Sequence, residues 1–363
     1  PSCGPVAQTW DTNGFLASRM DWNGNRSCFK HDTRGLENVR VEGLTGACPV
    51  DLTLTSVPSA APARKITTQW HPIWRLPTMV AEPLRMTSYV YHGDGGVTCG
   101  ATGSLCSKTV QSTNDATGAL GLGATLSGNP RIWTYTYNVA GQMLTTDDPR
   151  SDVNDITAYT YDTQGNIATV TNALGQVTQV TAYDAHGKPL TIVDPNGLTT
   201  SLAYDARQRL ISRNVGGETT VYAYDGVGQV TRVTLPDSSY LAYTYDAAHR
   251  LTGLADNLGN KITYTLDAMG NRTQEQVFDP ANSLAQTRSR VYSNLNRLFQ
   301  DIGAQGQTTQ YAYDDQGNVT GITDPLNRVT ANAYDALNRL MQVTDPGTGA
   351  TKYGYNGLAQ LTQ

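Results

Sequence analysis

Residues 311–340 read YAYDDQGNVTGITDPLNRVTANAYDALNRL and contain the same short pattern twice. Tyr313-Asp314 and Tyr334-Asp335 stand 21 residues apart, and each pair is followed by a turn-forming residue and then by a segment rich in strand-forming residues. A pattern that returns at a fixed period is typical of repeat architectures. The period therefore decides the fold class before any single element does.

The Tyr-Asp pattern runs through most of the chain. Six of the ten steps between successive copies equal 21 residues, when degenerate copies that lack the Tyr or the Asp are included. Several copies also carry a glycine three positions after the aspartate. The residues of this structural repeat signature are Tyr161, Asp162, Gly165, Tyr183, Asp184, Gly187, Tyr204, Asp205, Tyr224, Asp225, Gly228, Tyr245, Asp246, Tyr313, Asp314, Gly317, Tyr334 and Asp335.

Two turn signals divide each repeat. Asp-x-x-Gly predicts a tight hairpin turn, because glycine or asparagine enters the left-handed region readily; His249 is the exception at this position. Asp-Pro pairs such as Asp194-Pro195 predict a second turn half a period later. The segments between the turns, such as residues 308–313 and 319–323, have the length and composition of strands. Each repeat is therefore predicted as strand, turn, strand, turn.

Tyrosine strongly outnumbers phenylalanine, with 20 Tyr against 4 Phe. In most copies a second tyrosine lies two residues before the signature tyrosine, so both point to one face of the strand. We expect the hydroxyls to be exposed to water and the rings to form ladders, in which each cross-strand aromatic pair contributes about 0.2–1 kcal/mol. The second tyrosines are Tyr135, Tyr159, Tyr222, Tyr243, Tyr264, Tyr311 and Tyr353.

The repeat is regular only in the later part of the chain. Before it, Trp10-Asp11 and similar pairs keep the 21-residue period in a degraded form. We expect residues 1–136 to hold degenerate repeats with cysteine-containing loops or insertions, and residues 137–363 to hold regular repeats of about 21 residues.

Residues 44–62 and 93–130 are predicted as loops on the surface of the repeats, and the two longest steps of the regular repeat are predicted to carry turn-rich insertions at residues 149–154 and 278–283. The cysteines all fall in the first third of the chain, which is typical of a locally stapled region rather than of a disulfide-built scaffold. An odd number leaves at least one cysteine unpaired, and Cys99 lies near enough to Cys106 for a local bridge in an oxidising compartment. The five cysteines are Cys3, Cys28, Cys48, Cys99 and Cys106.

The composition excludes several partner classes. The net charge of -5 and the pI of 5.5 argue against nucleic acid and against an anionic membrane as the main partner. No segment has the run of about 18–20 apolar residues that a membrane helix needs. The N-terminal residues have neither a basic nor an apolar segment typical of a signal peptide, and the missing initiator Met indicates a piece of a longer chain.

A sheet built from these repeats is too wide to stay flat. Eleven regular copies predict about 22 strands, and at about 4.8 Å per strand the sheet is on the order of 100 Å wide. Right-handed twist makes open sheets of more than about ten strands curl, which also protects their edges. The sequence therefore predicts an all-β fold in which hairpins form a spiral, hollow β-shell or part of one.

The chain resembles the bacterial Rhs (rearrangement hotspot) proteins with YD repeats, relatives of the C components of insecticidal toxin complexes and of animal teneurins. The resemblance rests on the Tyr-Asp repeat, on QWHPIWRLP at residues 69–77, on EPL at residues 82–84 and on YDARQRL at residues 204–210. It implies a cocoon that encloses a C-terminal toxin until delivery, often through a contractile secretion apparatus. It also implies a self-cleaving core segment followed by the toxin, but the chain ends at Gln363 within a repeat, so no residue is assigned to either.

The aspartates of the repeat are expected to form turns rather than a catalytic site. They recur at one position in every copy, whereas a catalytic pair needs two distinct positions. The glycines of residues 118–123 lack the strand-to-helix setting and the lysine of a phosphate-binding loop, so no cofactor site is predicted. Partial metal-ligand sets, Cys28 with His31 and His92 with the two cysteines that follow it, lack zinc-finger spacing, and no metal site is expected.

These observations favour a non-catalytic shell segment that encapsulates a C-terminal toxin polypeptide for delivery to target cells. The expected partner is that cargo, and secretion-apparatus or cell-surface proteins are further candidates. The protein is expected to be secreted by a bacterium or delivered by a secretion apparatus, with the cell surface as another location. The alternative is an extracellular carbohydrate-binding or adhesion module, in which exposed tyrosine ladders stack on sugar rings.

Overall fold

The computed structural model describes residues 7–55 and 63–362. Cys3 and part of the predicted loop at residues 44–62 lie outside the described residues. Within them the chain forms strands and two short 3-10 helices, Asp94–Gly96 and Gly121–Gly123. The fold is therefore all-β, as the sequence predicts.

The described residues contain 29 strands. Every recorded strand pairing is antiparallel and joins strands that follow one another in the sequence, as in a run of hairpins. The strands are β1 Ala7–Trp10, β2 Leu16–Met20, β3 Arg26–His31, β4 Glu37–Leu44, β5 Arg64–Trp70, β6 Pro77–Glu82, β7 Arg85–Tyr91, β8 Leu105–Thr113, β9 Leu126–Tyr137, β10 Met143–Asp147, β11 Ile156–Tyr161, β12 Ile167–Thr171, β13 Val177–Tyr183, β14 Pro189–Val193, β15 Thr199–Tyr204, β16 Leu210–Val215, β17 Glu218–Tyr224, β18 Val230–Thr234, β19 Tyr240–Tyr245, β20 Leu251–Asp256, β21 Lys261–Leu266, β22 Arg272–Phe278, β23 Leu284–Tyr292, β24 Leu298–Ile302, β25 Thr308–Tyr313, β26 Val319–Thr323, β27 Val329–Tyr334, β28 Leu340–Thr344 and β29 Ala350–Lys352.

The predicted repeat unit is present strand by strand. The segments predicted at residues 308–313 and 319–323 form β25 and β26 with those bounds. In β17 and β18, Tyr222 lies opposite Val233, and the register shifts between Ala223 and the signature tyrosine that follows it. Such a bulge increases the local twist of the hairpin.

The chain divides into two compact units. The first comprises residues 1–158, 313–321 and 329–363, and the second comprises residues 159–312 and 322–328.

The first unit contains a packed apolar core. Cys28, Val39, Val41 and Leu52 form a buried cluster, in which Cys28 and Val41 are completely inaccessible. Lys65 is also buried, and its amino group donates hydrogen bonds to the carbonyl oxygens of residues 53, 54 and 119 at 3.0–3.2 Å. A buried ammonium group is tolerated only when its donors are satisfied, so this side chain ties two irregular segments together.

The second unit is built differently. Along β15 the side chains alternate between exposed and half-buried, so that Leu202 and Tyr204 share the half-buried face while Ala203 lies on the exposed face. Of residues 137–362, all of which are described, Gly253 alone is buried. The regular repeats therefore have two distinct faces and no packed apolar core of their own.

Two sequence predictions about connecting segments are wrong. The predicted loop at residues 93–130 contains strand β8, which pairs with both β7 and β9. Its residues, LCSKTVQST, include the Thr and Val typical of strands, but the glycines on either side of them led to the prediction of a loop. The predicted turn-rich insertion at residues 278–283 is shorter, because Phe278 belongs to β22 and lies opposite Leu284.

Two disulfides lie in the first unit. Cys99 is bridged to Cys106, which is the local pairing that the sequence allows, and Cys28 is bridged to Cys48. Within the described residues, no helix has the length and apolar character needed to cross a bilayer.

Candidate functional site

The turn after each signature tyrosine is closed by its aspartate, as the turn at Asp246 shows. The backbone N–H of Asp246 donates to the carbonyl of Arg250 at 3.0 Å, and its carbonyl accepts from His249 N–H at 2.9 Å. Its Oδ1 accepts from the backbone N–H groups of Ala248 and Arg250, both at 2.9 Å, and the Arg250 Nε donates to Oδ2 at 2.8 Å. One carboxylate thus satisfies three donors and fixes the turn.

The signature residues occupy equivalent places in all seven copies. The tyrosines Tyr161, Tyr183, Tyr204, Tyr224, Tyr245, Tyr313 and Tyr334 each end a strand, and the aspartates Asp162, Asp184, Asp205, Asp225, Asp246, Asp314 and Asp335 each begin the following turn. Gly165, Gly187, Gly228 and Gly317 have φ between 78° and 102°. These residues therefore build the repeat, and none of them belongs to an isolated pair of carboxylates.

The left-handed position accepts side chains other than glycine and asparagine. His249 has φ of 64° and Gln208 has φ of 63°, so the histidine is not an exception to the turn geometry. The second turn of most repeats uses the same geometry: Asp194 N–H donates to Leu198 O and Gly197 N–H donates to Asp194 O, both at 3.0 Å. The two-residue turn between β16 and β17 is different, because Val215 lies directly opposite Glu218. Both edges of the repeats are therefore formed mainly by one kind of turn, which the Asp-Pro signal alone did not reveal.

Hydrogen bonding lowers the pKa of most turn aspartates. At Asp246 the backbone N–H of Arg250 makes the largest contribution, followed by the Arg250 guanidinium, and the pKa of the carboxyl falls below its ordinary value of 3.8. At Asp205 the backbone and guanidinium of Arg209 lower the pKa in the same order. These carboxylates are ionised at neutral pH and committed to their turns, so they are poor proton donors for catalysis.

The signature tyrosines link successive repeats through their hydroxyl groups. Tyr224 donates to the carbonyl of Leu210 at 2.7 Å, and Tyr245 donates to the carbonyl of Val230 at 2.8 Å. In each case the acceptor lies five residues after the signature aspartate of the preceding repeat. The same link joins Tyr183 to Ile167, Tyr334 to Val319 and Tyr355 to Leu340.

The expectation that these hydroxyls are exposed to water is therefore incomplete, because each of them also donates to a backbone carbonyl. The rings are half-buried, and a phenol in that position takes a protein acceptor because it loses part of its hydration. Burial also raises the pKa of Tyr245, with smaller contributions from nearby anionic groups. The link explains the excess of Tyr over Phe, since phenylalanine fills the same volume but cannot reach the carbonyl.

Cations lie over the rings where the sequence predicts tyrosine ladders. Lys188 Nζ lies 5.0 Å from the ring centre of Tyr204, and the Arg209 guanidinium lies 4.6 Å from the ring centre of Tyr224. The same Arg209 donates to the carbonyl of Asp225 at 3.2 Å, in the next turn. The sequence predicts that tyrosine rings contact one another in ladders, but in these copies each ring makes a cation–π contact instead. The long basic side chain four residues after the aspartate covers the ring. The covered rings are poor platforms for a sugar.

One carboxylate pair lies outside the signature. Asp147 at the end of β10 lies close to Asp155, and the pKa of the Asp147 carboxyl is raised, first by desolvation and then by its interaction with the Asp155 carboxyl. The pair lies in the first unit, in the longer connection between β10 and β11. The sequence shows the aspartates but not which two of them meet.

The candidate metal ligands are engaged in other contacts. His92, Cys99 and Cys106 lie together with their ligand atoms within 4.8 Å of one another. The two cysteines form a disulfide, and His92 Nδ1 accepts hydrogen bonds from the backbone N–H of Cys99 and of Gly100, each at 3.0 Å. Cys28 is likewise bridged, to Cys48, rather than paired with His31. A bridged cysteine offers no thiolate to a metal.

Within the first unit, turns of the last repeats contact the N-terminal hairpins. Asn23 Nδ2 donates to Asp314 Oδ2 at 3.0 Å. A side chain added at Gly357 would collide with Pro83, which is fully buried. Leu337 is half-buried in this arrangement, whereas Val227 at the same turn position in the second unit is 62% exposed. These contacts join residues some 300 apart and left no local signal in the sequence.

Family models match the same residues that carry the repeat. The teneurin YD-shell model matches residues 124–274, and the RHS repeat model matches residues 292–329. Over these residues the chain is a YD-repeat protein, similar to the teneurin YD-shell and RHS-repeat families. Both matching models describe repeats or shells rather than a catalytic family. No curated protein is significantly similar in sequence to this YD-repeat protein.

Solved structures of TcdB2-TccC3 complexes have the same fold. The crystal structure of TcdB2-TccC3-Cdc42 is similar to the YD-repeat protein with a TM-score of 0.62 and 17% identity, over 98% of this chain and 21% of that chain. TcdB2-TccC3 without its hypervariable C-terminal region gives a TM-score of 0.63 at 17% identity, over 96% of this chain and 20% of that chain. The Photorhabdus luminescens Tc holotoxin pore gives 0.56 at 18% identity, over 95% and 20%. This YD-repeat protein thus spans about a fifth of the length of the proteins it matches.

Proposed function

We propose that this YD-repeat protein is a non-catalytic wall segment of a shell that encloses a toxin polypeptide. The observation that carries the proposal is the lack of a packed apolar core in residues 137–362, where Gly253 alone is buried. A globular domain of this length buries most of its large apolar side chains. An ordered sheet held by turns and tyrosine links is suited to surround something else.

The difference between the two faces of the strands indicates which face of the wall is turned toward the cargo. In β15 and β27 the face that carries the signature tyrosine is half-buried and the other is exposed. When a sheet curls, side chains on its concave face crowd one another and those on its convex face spread apart. We infer that the tyrosine face is turned inward, toward the cargo.

The cargo is inferred from chemistry and from the structural likeness. The half-buried face carries Thr200, Leu202 and Tyr204 in β15, so it is mixed rather than oily. A mixed surface of this kind holds an unfolded polypeptide without binding any one sequence tightly. The structures with this fold contain TccC3, and by analogy the cargo is a C-terminal toxin of a secreted or injected bacterial protein.

A cross-linking experiment tests this proposal. A polypeptide is fused after Gln363, and a photoreactive amino acid replaces either Leu202 on the half-buried face or its neighbour Ala203 on the exposed face. The proposal predicts cross-links to the fused polypeptide from position 202 and few from position 203. Equal yields at both positions, or cross-links from position 203 alone, would contradict an enclosing wall with this orientation.

A further inference from the structure

The first unit contains a polar cavity that the shell function does not use. Its volume is about 540 Å³, within the range of about 300–1,000 Å³ typical of small-molecule sites. It lies where hairpin β2–β3 meets turns of the last repeats. Its lining includes Arg19, Trp22, Arg26, Arg64, Gln316 and Asn338.

The positive charge of this cavity is not fully neutralised. Among the described residues, Arg26 has no carboxylate within ion-pair distance. Arg64 is paired with Glu42 at 2.8 Å, but Arg40 shares that carboxylate at 3.0 Å. Arg19 lies on the opposite face of the β2–β3 hairpin, with its guanidinium 5.8 Å from the ring centre of Phe29. The Arg26 guanidinium therefore remains available to an anion.

The remaining carboxylate of the lining is already committed. Asp21 Oδ1 accepts from the backbone N–H groups of Asn23 and Asn25 at 3.0 and 2.8 Å. Its Oδ2 accepts from Asn25 Nδ2 at 3.2 Å. Asp21 is thus used to close the β2–β3 turn, and it does not compensate the arginines.

Two buried donors of the lining have no acceptor in the part of the chain that the structure describes. They are Arg26 Nε and Gln316 Nε2. The other Arg26 nitrogens have only weak partners, Ser18 Oγ at 3.3 Å and the Met20 sulfur at 3.5 Å. A buried donor without an acceptor is costly, so these groups favour a ligand rich in acceptor oxygens.

Trp22 adds an apolar surface beside the donors. Its side chain lines the cavity and is 43% exposed. An indole ring next to guanidinium and amide donors suits a ligand that has a ring face on one side and a negative group on the other.

We propose that this cavity binds a small molecule bearing a phosphate or carboxylate group, held by Arg26 and Gln316, with a ring face against Trp22. The oxyanion is the shared feature of both chemistries. The Arg26 guanidinium provides charge-assisted donors, and Gln316 provides a neutral one. The site is independent of the enclosure of a cargo.

Calorimetric titration of the full chain tests the proposal with four defined probes. These are inorganic phosphate, D-glucose 6-phosphate, D-glucuronate and D-glucose. The expected result is binding of at least one of the anionic sugars with a dissociation constant below about 1 mM, and weaker binding of phosphate alone because it lacks the ring. Preference for the 6-phosphate or for the uronate assigns the anion, and binding of neutral glucose with equal affinity would overturn the proposal.

Matched variants separate the site from general charge. Arg26→Gln removes a charge-assisted hydrogen bond and is expected to weaken binding about tenfold or more. Arg131→Gln removes the same charge from an exposed position on β9 and is expected to leave binding unchanged. Equal losses in both variants, or no binding of any anionic probe to the wild-type chain, would contradict the site.

Folding of the variants is measured independently. Thermal unfolding of each variant is compared with that of the wild-type chain, and Trp22→Leu provides a change that leaves the arginines in place. This variant is expected to weaken binding of the anionic sugar toward that of inorganic phosphate, while phosphate binding itself persists. If Trp22→Leu folds and binds the sugar as tightly as the wild-type chain, the stacking part of the proposal is wrong.

Discussion

Val41, on strand β4 of the N-terminal region, is completely buried, whereas Val233, on strand β18 of the regular repeats, is half-buried. The N-terminal strands are held by an apolar cluster and two disulfides, and the regular repeats are held by turn aspartates and tyrosine–carbonyl links. The difference shows that a repeat array is able to replace a core by many identical local contacts. In such an array each repeat needs only its neighbours.

The comparison also explains the use of residue types. Apolar side chains in the core contribute in proportion to the area they bury. In the repeats, by contrast, half-buried phenol and guanidinium groups contribute through geometry, as Tyr224 and Arg209 do together. A wall that must keep one face open to a cargo cannot use the first strategy on that face.

Loss of the Cys28–Cys48 disulfide is expected to have the largest effect. The bridge spans a sequence separation of 20 residues, and replacing both cysteines by alanine is expected to lower the free energy of unfolding of the first unit by about 3 kcal/mol. The Cys99–Cys106 bridge spans 7 residues, so its double alanine variant is expected to lose less, about 2 kcal/mol.

Denaturant unfolding followed by hydrogen exchange measures both variants. Amides of the first unit are expected to lose protection, and amides of residues 170–300 are expected to keep it. A uniform loss of protection in both regions would show that the repeats depend on the N-terminal core.

Truncation of Val41 compares the core with the repeats directly. Val41→Ala is expected to destabilise the first unit by about 2 kcal/mol, because it removes two buried methyl groups and leaves a cavity. Val233→Ala, the matched change on a half-buried position, is expected to cost less than about 1 kcal/mol. Equal costs in chemical denaturation would remove the distinction between the two regions.

Removal of one phenol hydroxyl tests the tyrosine link. Tyr224→Phe keeps the ring but loses the hydrogen bond to Leu210, and a loss of about 1 kcal/mol is expected. Tyr222→Phe is the control, because the Tyr222 hydroxyl makes no hydrogen bond to any residue that the structure describes. Hydrogen exchange of β16 and β17 measures the effect. If both variants behave alike, the hydroxyl links do not hold the repeats together.

The turn aspartates are expected to make the repeats sensitive to acid. The pKa of Asp246 is lowered in the folded chain, so its contribution is present above the ordinary value of 3.8 and is lost as the pH falls through the lower folded value. Asp246→Asn keeps an acceptor for the turn but removes this titration. A slightly lower stability at neutral pH and a shallower acid dependence are expected.

Unfolding curves at several pH values between neutrality and about pH 2 measure this change. The ionised carboxylate of Asp147 is expected to have the opposite effect on stability, because the pKa of its carboxyl is raised beside Asp155. Asp147→Asn is therefore expected to be neutral or slightly stabilising at neutral pH. Identical acid dependence of the wild-type chain and Asp246→Asn would show that this carboxylate does not contribute through its charge.

The sequence predicts the strands and turns that depend on residues close to one another in the chain. The strands β25 and β26 and the turns at the signature aspartates follow from composition and from spacing within one repeat. The hydroxyl link of Tyr224 reaches an acceptor 14 residues away, across a bulge whose effect on direction the sequence does not show. The division of the chain at residues 136 and 137 stays a prediction.

The candidate site depends on contacts between residues that lie even farther apart in the sequence. The oxyanion cavity brings Arg26 together with Gln316, and the core brings Cys28 to Cys48 across an irregular segment. Such contacts are set by how whole hairpins pack, and the period alone does not specify them. For the same reason strand β8 was missed, since its pairing with β7 and β9 outweighs the glycine-rich sequence around it.

Protection of a fused polypeptide tests the enclosing wall most directly. An unfolded polypeptide attached after Gln363 is digested with a nonspecific protease, and the rate is compared with that of the same polypeptide attached to an unrelated folded protein. The account predicts markedly slower digestion when the polypeptide is attached to this YD-repeat protein, with the tyrosine face shielding it. Equal digestion rates would contradict the proposal that the repeats form a wall around a cargo.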